Sequence, residues 1–187
     1  MNRYLIAFAV GLCLACALAA SAQAGAMGLA KLGIGAYGVT NIPVVQDDAE
    51  SGALYGIRAR LGVLSALAIE PSISFIKSGD AEVDYDVEGL EGQTLTIEGP
   101  DMTSFAVNLV WGGAAYGTAG IGVTSLDLHQ PGLDSTSETT YNFGGGAEIA
   151  AGPVSIDLSA RLYVINNVDK ASRKSLAIMA GVNYYIF

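Results

Sequence analysis

The chain has 187 residues, a formal net charge of −9 and a hydrophobic content of 51%. This acidity disfavours nucleic acid as a partner, because nucleic-acid binding requires a basic surface. After the first 24 residues the apolar positions are dispersed in short segments, and none of these approaches the run of about 18 apolar residues that indicates a transmembrane helix.

The first 24 residues have the organisation of a bacterial secretory signal peptide. The positive charge of Arg3 precedes an apolar run over residues 4–20, and residues 22–24, Ala-Gln-Ala, form a small-x-small cleavage site. We therefore expect residues 1–24 to be a cleaved signal peptide and residues 25–187 to form one domain.

Both cysteines, Cys13 and Cys16, lie within this leader segment. The exported chain is therefore expected to form no disulfide, although its compartment permits them. Lipidation of Cys16 is the alternative, but a cysteine stands three positions earlier, where a lipidation site usually has a leucine.

Eight segments of alternating polarity follow, each of a length that crosses a bilayer as a β-strand. In the second segment, for example, Tyr55, Ile57 and Ala59 alternate with Gly56 and Arg58. The predicted strands are residues 31–40, 53–64, 66–77, 102–112, 115–127, 140–151, 154–166 and 175–187.

Short and long connections alternate between these strands. The short ones lie near Ser65, Gly112 and Gly152, and the long polar ones are residues 41–52, 78–101, 128–139 and 167–174. Transmembrane barrels have short periplasmic turns, longer extracellular loops and an even number of strands. The sequence therefore predicts an all-β fold, an eight-stranded antiparallel up-and-down transmembrane β-barrel, and we expect it to be a monomer in the outer membrane.

The small and polar face of the strands carries charges of both signs. In a soluble, lipocalin-like barrel this face would point outward, whereas in a membrane barrel it points into the lumen. Its sparse charges and many glycines favour the lumen, where opposite charges can pair. The sequence predicts a lumen ion-pair network of Arg58, Arg60, Glu70, Glu148, Asp157 and Arg161. Alternatively, these side chains line a selectivity path for a solute.

The second long connection is strongly acidic. Acidic residues recur at every second position, at Asp80, Glu82, Asp84, Asp86 and Glu88. Residues 94–98 alternate as well and are expected to pair back onto this arm as an extracellular hairpin with an acidic face. The arm resembles the first half of an EF-hand, but the twelfth position is Leu95 instead of a bidentate Glu. We therefore predict no metal or cofactor, with weak, nonspecific binding of Ca²⁺ or Mg²⁺ as the alternative.

An enzyme is the least favoured reading of the sequence. The single histidine, His129, lies in a predicted extracellular loop with Ser135 and Glu138. A catalytic serine, histidine and acid must be held in contact on a rigid frame. The outer-membrane lipid deacylases have the order His, one residue, Ser, and this chain has Pro131 at the serine position.

The alternating segments, the leader, residues 54–60 and 68–71, and Phe187 together resemble eight-stranded outer-membrane β-barrel families. These are the OmpX-like and OmpW-like group and the OmpA transmembrane domain. The resemblance implies contact with outer-membrane lipid and lipopolysaccharide, and a structural or surface-interaction role through extracellular loops that bind a surface ligand. The alternative is a narrow porin-like channel for a small hydrophobic solute. We expect no peptidoglycan-binding domain after Phe187.

In these families the final Phe, with an aromatic residue two positions earlier, belongs to a signal for the barrel-assembly machinery. Phe187 and Tyr185 fit this signal. The apolar residues from Ile178 to Tyr184 alternate on the opposite face of the last strand. A β-bulge near Tyr184 would bring both sets onto one face.

The first testable prediction concerns the leader. Cleavage after Ala24 leaves Gly25 as the N-terminus, because residues 22–24 form a small-x-small site shortly after the apolar run. Mass spectrometry of the protein purified from membranes measures this terminus. An intact Met1 or an acylated Cys16 would contradict the prediction.

Overall fold

A computed structural model describes residues 32–44, 51–84, 94–97, 99–127, 136–166 and 172–186. The expected signal peptide lies outside these residues. No helix in the described ranges is long and apolar enough to cross a membrane. The elements found there are the strands β1 (Leu32–Pro43), β2 (Gly52–Leu64), β3 (Leu67–Lys77), β4 (Ala81–Asp84), β5 (Thr94–Ile97), β6 (Asp101–Gly112), β7 (Ala115–Asp127), β8 (Thr136–Ala151), β9 (Val154–Asn166) and β10 (Ser172–Tyr185).

Eight of these strands form a closed antiparallel barrel in the order β1-β10-β9-β8-β7-β6-β3-β2. Strands β4 and β5 form a separate two-stranded sheet. Consecutive barrel strands along the chain pair with each other, and the pairing of β1 with β10 closes the ring. The prediction of an eight-stranded up-and-down barrel is confirmed.

The alternation of side chains sorts each strand into two faces, because successive side chains of a strand point to opposite sides. On β2, Ile57 is 57% exposed and its neighbour Arg58 is 3% exposed. On β6 the apolar Phe105 and Leu109 are exposed and the polar Asn108 is buried. At these positions the charged and polar side chains therefore point into the barrel and the large apolar side chains point out of it, which is the arrangement of a membrane barrel and the reverse of a lipocalin-like one.

The two ends of the barrel differ. The tight turns after β2, β6 and β8 lie at one end, which we call the short-turn end, and the longer connections lie at the other, the long-connection end. Gly112 and Gly152 occupy two of these turns with φ of +129° and +67°, a region that glycine adopts without the steric cost of a Cβ atom. By the rule for membrane barrels, the short-turn end faces the periplasm.

Strand β8 begins earlier than the sequence predicts. It starts at Thr136 because its first residues, rich in β-branched Thr, pair with the end of β7, as in Leu126 with Thr136 and Thr124 with Glu138. Glu138 is consequently a buried, inward-facing strand residue. Its expected place in an extracellular loop was wrong.

The β-bulge considered for the last strand is absent. The register of β10 runs without a shift to Tyr184, opposite Val154, and to Tyr185, opposite Gly33. Tyr184 therefore points outward and Tyr185 inward. The second arm of the acidic hairpin does pair back as predicted, with Val83 opposite Leu95.

The second testable prediction concerns the outer face. Ile121 is the central residue of β7 and is exposed. Replacing it with Arg should destabilise the barrel by about 2–4 kcal/mol, because the charge would lie at the bilayer midplane. Urea unfolding in lipid vesicles, with Ile121→Ala as the control for lost side-chain volume, measures this. Equal stability of the two variants would show that this face does not contact lipid.

Candidate functional site in the barrel lumen

The six charged residues that the sequence assigns to the lumen are all buried inside the barrel. They come from two opposite walls, which the strand order places on either side of the lumen. Three are arginines and three are carboxylates, so their formal charges balance. Strands β2 and β3 contribute Arg58, Arg60 and Glu70, and strands β8 and β9 contribute Glu148, Asp157 and Arg161.

Glu70 is the centre of this group and has no exposed surface. Its Oε2 accepts hydrogen bonds from Arg60 Nε at 2.9 Å and Arg60 Nη2 at 2.6 Å. Its Oε1 accepts one from Arg161 Nη2 at 2.6 Å, across the full width of the lumen. Arg58 Nε lies 3.9 Å from Oε2. One carboxylate therefore contacts all three guanidinium groups.

The other two carboxylates complete the group. Arg60 Nη1 donates to Glu148 Oε2 at 2.8 Å, and its Nη2 lies 3.5 Å from Asp157 Oδ2. Arg58 Nη2 lies 3.2 Å from Asp157 Oδ1. The hydroxyl of Tyr116 donates to both oxygens of Asp157, at 2.7 and 2.9 Å. We call the six connected residues the lumen charge cluster.

Two aromatic rings support the arginines. The Arg60 guanidinium carbon lies 4.7 Å from the centre of the Tyr116 ring, and that of Arg58 lies 5.3 Å from the centre of the Tyr37 ring. Cation–π contacts of this kind stabilise a guanidinium group that has lost its water. Both rings therefore belong to the charged site as much as to the apolar packing of the lumen.

Neutral polar side chains that sequence reasoning did not assign to the site bind the cluster as well. Asn108 donates to the backbone oxygen of Glu70 at 3.0 Å and receives a hydrogen bond from Asn142 at 2.8 Å. Asn183 accepts a hydrogen bond from Arg58 Nε at 2.9 Å. All three asparagines are buried at positions that share the inward alternation of the charged residues, and this was the signal that could have identified them.

Tyr185, assigned from the sequence to the assembly signal, is part of this site. Its hydroxyl donates to Glu148 Oε1 at 2.7 Å. Ser155 donates to the same oxygen, and Asn183 Nδ2 does so at 3.1 Å. Phe187, the other residue of the signal, lies outside the described residues. A role of the two aromatic residues in assembly stays a prediction.

A second group of inward-facing residues lies nearer the long-connection end and is apolar. It corrects the expectation that the lumen face is small and polar throughout, because the inward positions become larger and more hydrophobic toward that end of the strands. We call it the outer apolar cluster. Its members are buried and consist of Tyr37, Leu54, Ile76, Met102, Leu126, Tyr163, Ile165, Ala177 and Met179.

Of the acidic segment's candidate residues, the structure describes the side chain of Asp80. Asp80 is exposed at the base of the hairpin, where its Oδ1 accepts a hydrogen bond from Gly99 N at 3.2 Å. Glu82 and Asp84 belong to β4, which the structure describes at the level of the backbone. No group of three or more His, Cys, Asp or Glu side chains suited to a metal ion occurs among the described residues. Outside those residues lie Asp86, Glu88, His129 and Ser135.

The third testable prediction concerns the lumen charge cluster. Replacing Glu70 with Gln leaves three buried arginines with two carboxylates. Loss of one partner of a buried ion pair typically costs about 3–5 kcal/mol, so the midpoint of urea unfolding should fall markedly. Asp80→Asn, which removes an exposed carboxylate, is the matched control. Equal midpoints for the two variants would mean that the buried charges are not coupled.

The fold resembles solved outer-membrane barrels. Neisserial surface protein A, NspA, is 14% identical over 82% of this chain and 95% of that protein, with a TM-score of 0.51. The N-terminal barrel domain of Pseudomonas aeruginosa OprF is 16% identical over 85% and 99% of the two chains, with a TM-score of 0.49. Yersinia pestis Ail is 14% identical over 84% and 99%, with a TM-score of 0.46. The likeness to NspA shows a common fold.

The sequence itself places the chain in a family. Among curated proteins none matches it. The family described as outer membrane protein beta-barrel domain matches residues 7–185 and so covers almost the whole chain. The chain therefore belongs to the outer membrane protein β-barrel domain family and is an outer-membrane protein.

Proposed function

We propose that this barrel is a closed, non-enzymatic and monomeric scaffold whose function is a structural or surface-interaction role of its extracellular loops. The observation that carries the proposal is the lumen charge cluster, which joins opposite walls of the barrel through buried contacts such as that between Arg161 and Glu70. A barrel of eight strands is just wide enough for side chains to fill its interior. A passage for ions would require several of these pairs to separate.

The outer apolar cluster supports the same conclusion. It lies between the charged layer and the long-connection end, and its side chains are buried against one another. An ion that enters from that end would lose its water among side chains that are mostly apolar, with Glu138 and Asn41 as buried polar neighbours, and this is unfavourable. The apolar layer hinders an ion, and the layer of paired charges hinders a small hydrophobic solute. Together the two layers favour a filled lumen over a porin-like channel.

The acidic hairpin is the part of the surface best suited to binding a partner. Residues 78–101 contain eight acidic residues and only uncharged residues otherwise, so a cationic surface ligand fits their charge. Among the described residues, β4 and β5 pair only with each other. An unpaired strand edge can accept an extended segment of another protein by β-augmentation. We propose a cationic, extended protein segment as the ligand class.

We propose that the protein is not an enzyme because His129 is the single histidine of the sequence and the His-x-Ser order of the lipid deacylases is not met. Lipid and lipopolysaccharide are the proposed partners of the exposed apolar side chains on the outside of the barrel. The barrel-assembly machinery is the proposed partner of the C-terminal strand.

The fourth testable prediction separates the loop from the lumen. Deleting residues 80–99 should leave a heat-modifiable barrel, because the ends to be joined already meet at a hydrogen bond from Ser78 N to Pro100 O of 3.4 Å. The deletion should abolish binding of an oligolysine peptide to vesicles containing the protein. In the intact chain that binding should weaken with salt, because screening shortens the range of surface charges.

The control and the opposing outcomes use the same purified protein. A variant with the acidic residues of positions 80–98 replaced by their amides keeps the hairpin and removes its charge, so it should bind like the deletion variant. Binding of oligolysine that survives the deletion would remove the hairpin as the functional element. Steady ion conductance of the intact protein in planar bilayers would overturn the closed lumen and favour the porin-like alternative.

A further inference from the structure

The first and last strands of the barrel meet at a seam that carries two glycines. Strand β1 places Gly33 opposite Tyr185 and Gly35 opposite Asn183 of β10. All four positions belong to the inward-facing alternation. Among the described strands, the seam joins the first barrel strand to the last, whereas the other barrel pairs are consecutive barrel strands along the chain.

The two glycines leave space that the side chains of β10 use. A Cβ atom on Gly33 would lie 2.7 Å from the Tyr185 ring, and one on Gly35 would collide with the side-chain amide of Asn183. Any other residue at these two positions would displace the side chains of the last strand. The side chains of Asn183 and Tyr185 can therefore lie over β1, inside the barrel.

The two side chains reach the lumen charge cluster in both directions from β10, at Arg58 beyond β1 and at Glu148 beyond β9. Arg58 of β2 lies next to Gly35 in the register and donates to Asn183 Oδ1 at 2.9 Å. The Nδ2 of Asn183 donates to Glu148 at 3.1 Å, and the Tyr185 hydroxyl donates to the same carboxylate at 2.7 Å. The amide thus has its oxygen toward a cation and its nitrogen toward an anion, on two strands that are not its neighbours.

We propose that Asn183 and Tyr185 form a closing latch, in which the last strand completes the lumen charge cluster and the completed cluster holds the β1–β10 seam shut. Arg58 and Glu148 are carried by β2 and β8, which precede the last strand in the chain. Until β10 is in place, Arg58 Nε and Glu148 Oε1 lack these partners. Hydrogen bonds to charged groups are stronger than those between neutral groups, so closure gains more than backbone pairing alone.

The latch also specifies the register of the seam. Sliding β10 by one residue would turn Asn183 toward the lipid. Sliding it by two residues in one direction would place Asn183 against Tyr37, where no glycine makes room for it. Only the observed register brings both side chains of the last strand onto the two glycines at once.

The fifth testable prediction uses Asn183→Leu, which keeps the approximate size of the side chain and removes its hydrogen bonds to Arg58, Glu148 and Ser155. The variant should convert from the folded to the unfolded gel form in SDS roughly tenfold faster on heating, the change expected for losing hydrogen bonds to charged groups. Asn142→Leu is the matched control, since Asn142 is a lumenal asparagine that contacts neither seam strand. Its effect should be smaller.

Disulfides distinguish a latch from general stabilisation. A crosslink across the seam (Ala36→Cys with Val182→Cys) should restore the slow conversion of Asn183→Leu, because the opening it accelerates is that of the seam. A crosslink between β6 and β7 (Val107→Cys with Ile121→Cys) should not restore it. Equal rescue by both crosslinks, or conversion of Asn183→Leu at the rate of the unaltered protein, would overturn the proposal.

A milder change keeps the test decisive if Asn183→Leu does not fold. Tyr185→Phe removes one hydroxyl and should also accelerate conversion, with rescue by the seam crosslink alone. Tyr184→Phe, on the outward face of the same strand, should leave the rate unchanged. Equal rates for these two variants would exclude the Tyr185 hydroxyl from the latch.

Discussion

Charges inside a narrow barrel surrounded by lipid must pair with one another in the lumen, because the filled interior separates them from water. An unpaired ion in such a place costs several kcal/mol. Here three arginines meet three carboxylates, and Glu70 contacts every guanidinium group. Much of the lumen follows from this requirement, including asparagines that bridge the pairs, tyrosine rings against the cations and glycines where long side chains need space.

The outer face of the barrel places fewer requirements on its side chains than the inner face does. Lipid tails accept any apolar side chain of suitable size, so outward positions can be filled by Ile, Leu, Val or Phe without specific partners. Polar side chains of the inner face need particular neighbours, as Asn108 needs Glu70 and Asn142. Specificity in this fold therefore lies in the lumen, and hydrophobicity supplies the membrane location.

The sequence predicts the strands and the inward set of charges because both depend on alternation with a period of two, which is local. It does not predict which charged residues pair across the lumen. Arg161 and Glu70 are 91 positions apart, and their contact depends on strand order and register. The outer apolar cluster was not predicted from the sequence for a similar reason. Ile76 and Met102 share the alternation of Ser74 and Ser104, and only the aligned ends of the strands reveal that the lumen face changes character along the barrel axis.

The inward direction of Tyr185 could not be predicted from the last strand. A β-bulge would have turned its ring to the apolar face, but the strand is regular, and Gly33 opposite it provides room inside the barrel. The space is created by a residue that is about 150 positions away, so no inspection of the last strand alone reveals it. Space that a distant residue leaves for a side chain cannot be predicted from the local alternation of polar and apolar residues.

The narrow base of the acidic hairpin has a consequence for how this protein can change over generations. Strands β3 and β6 end at a fixed separation, set by the hydrogen bond between Ser78 and Pro100, whatever segment joins them. The entropic cost of closing a longer segment over that gap grows only with the logarithm of its length. Insertions, deletions and exchanged sequences at this position should therefore have little effect on the folding of the barrel, so the surface at this end can diversify while the membrane core stays the same.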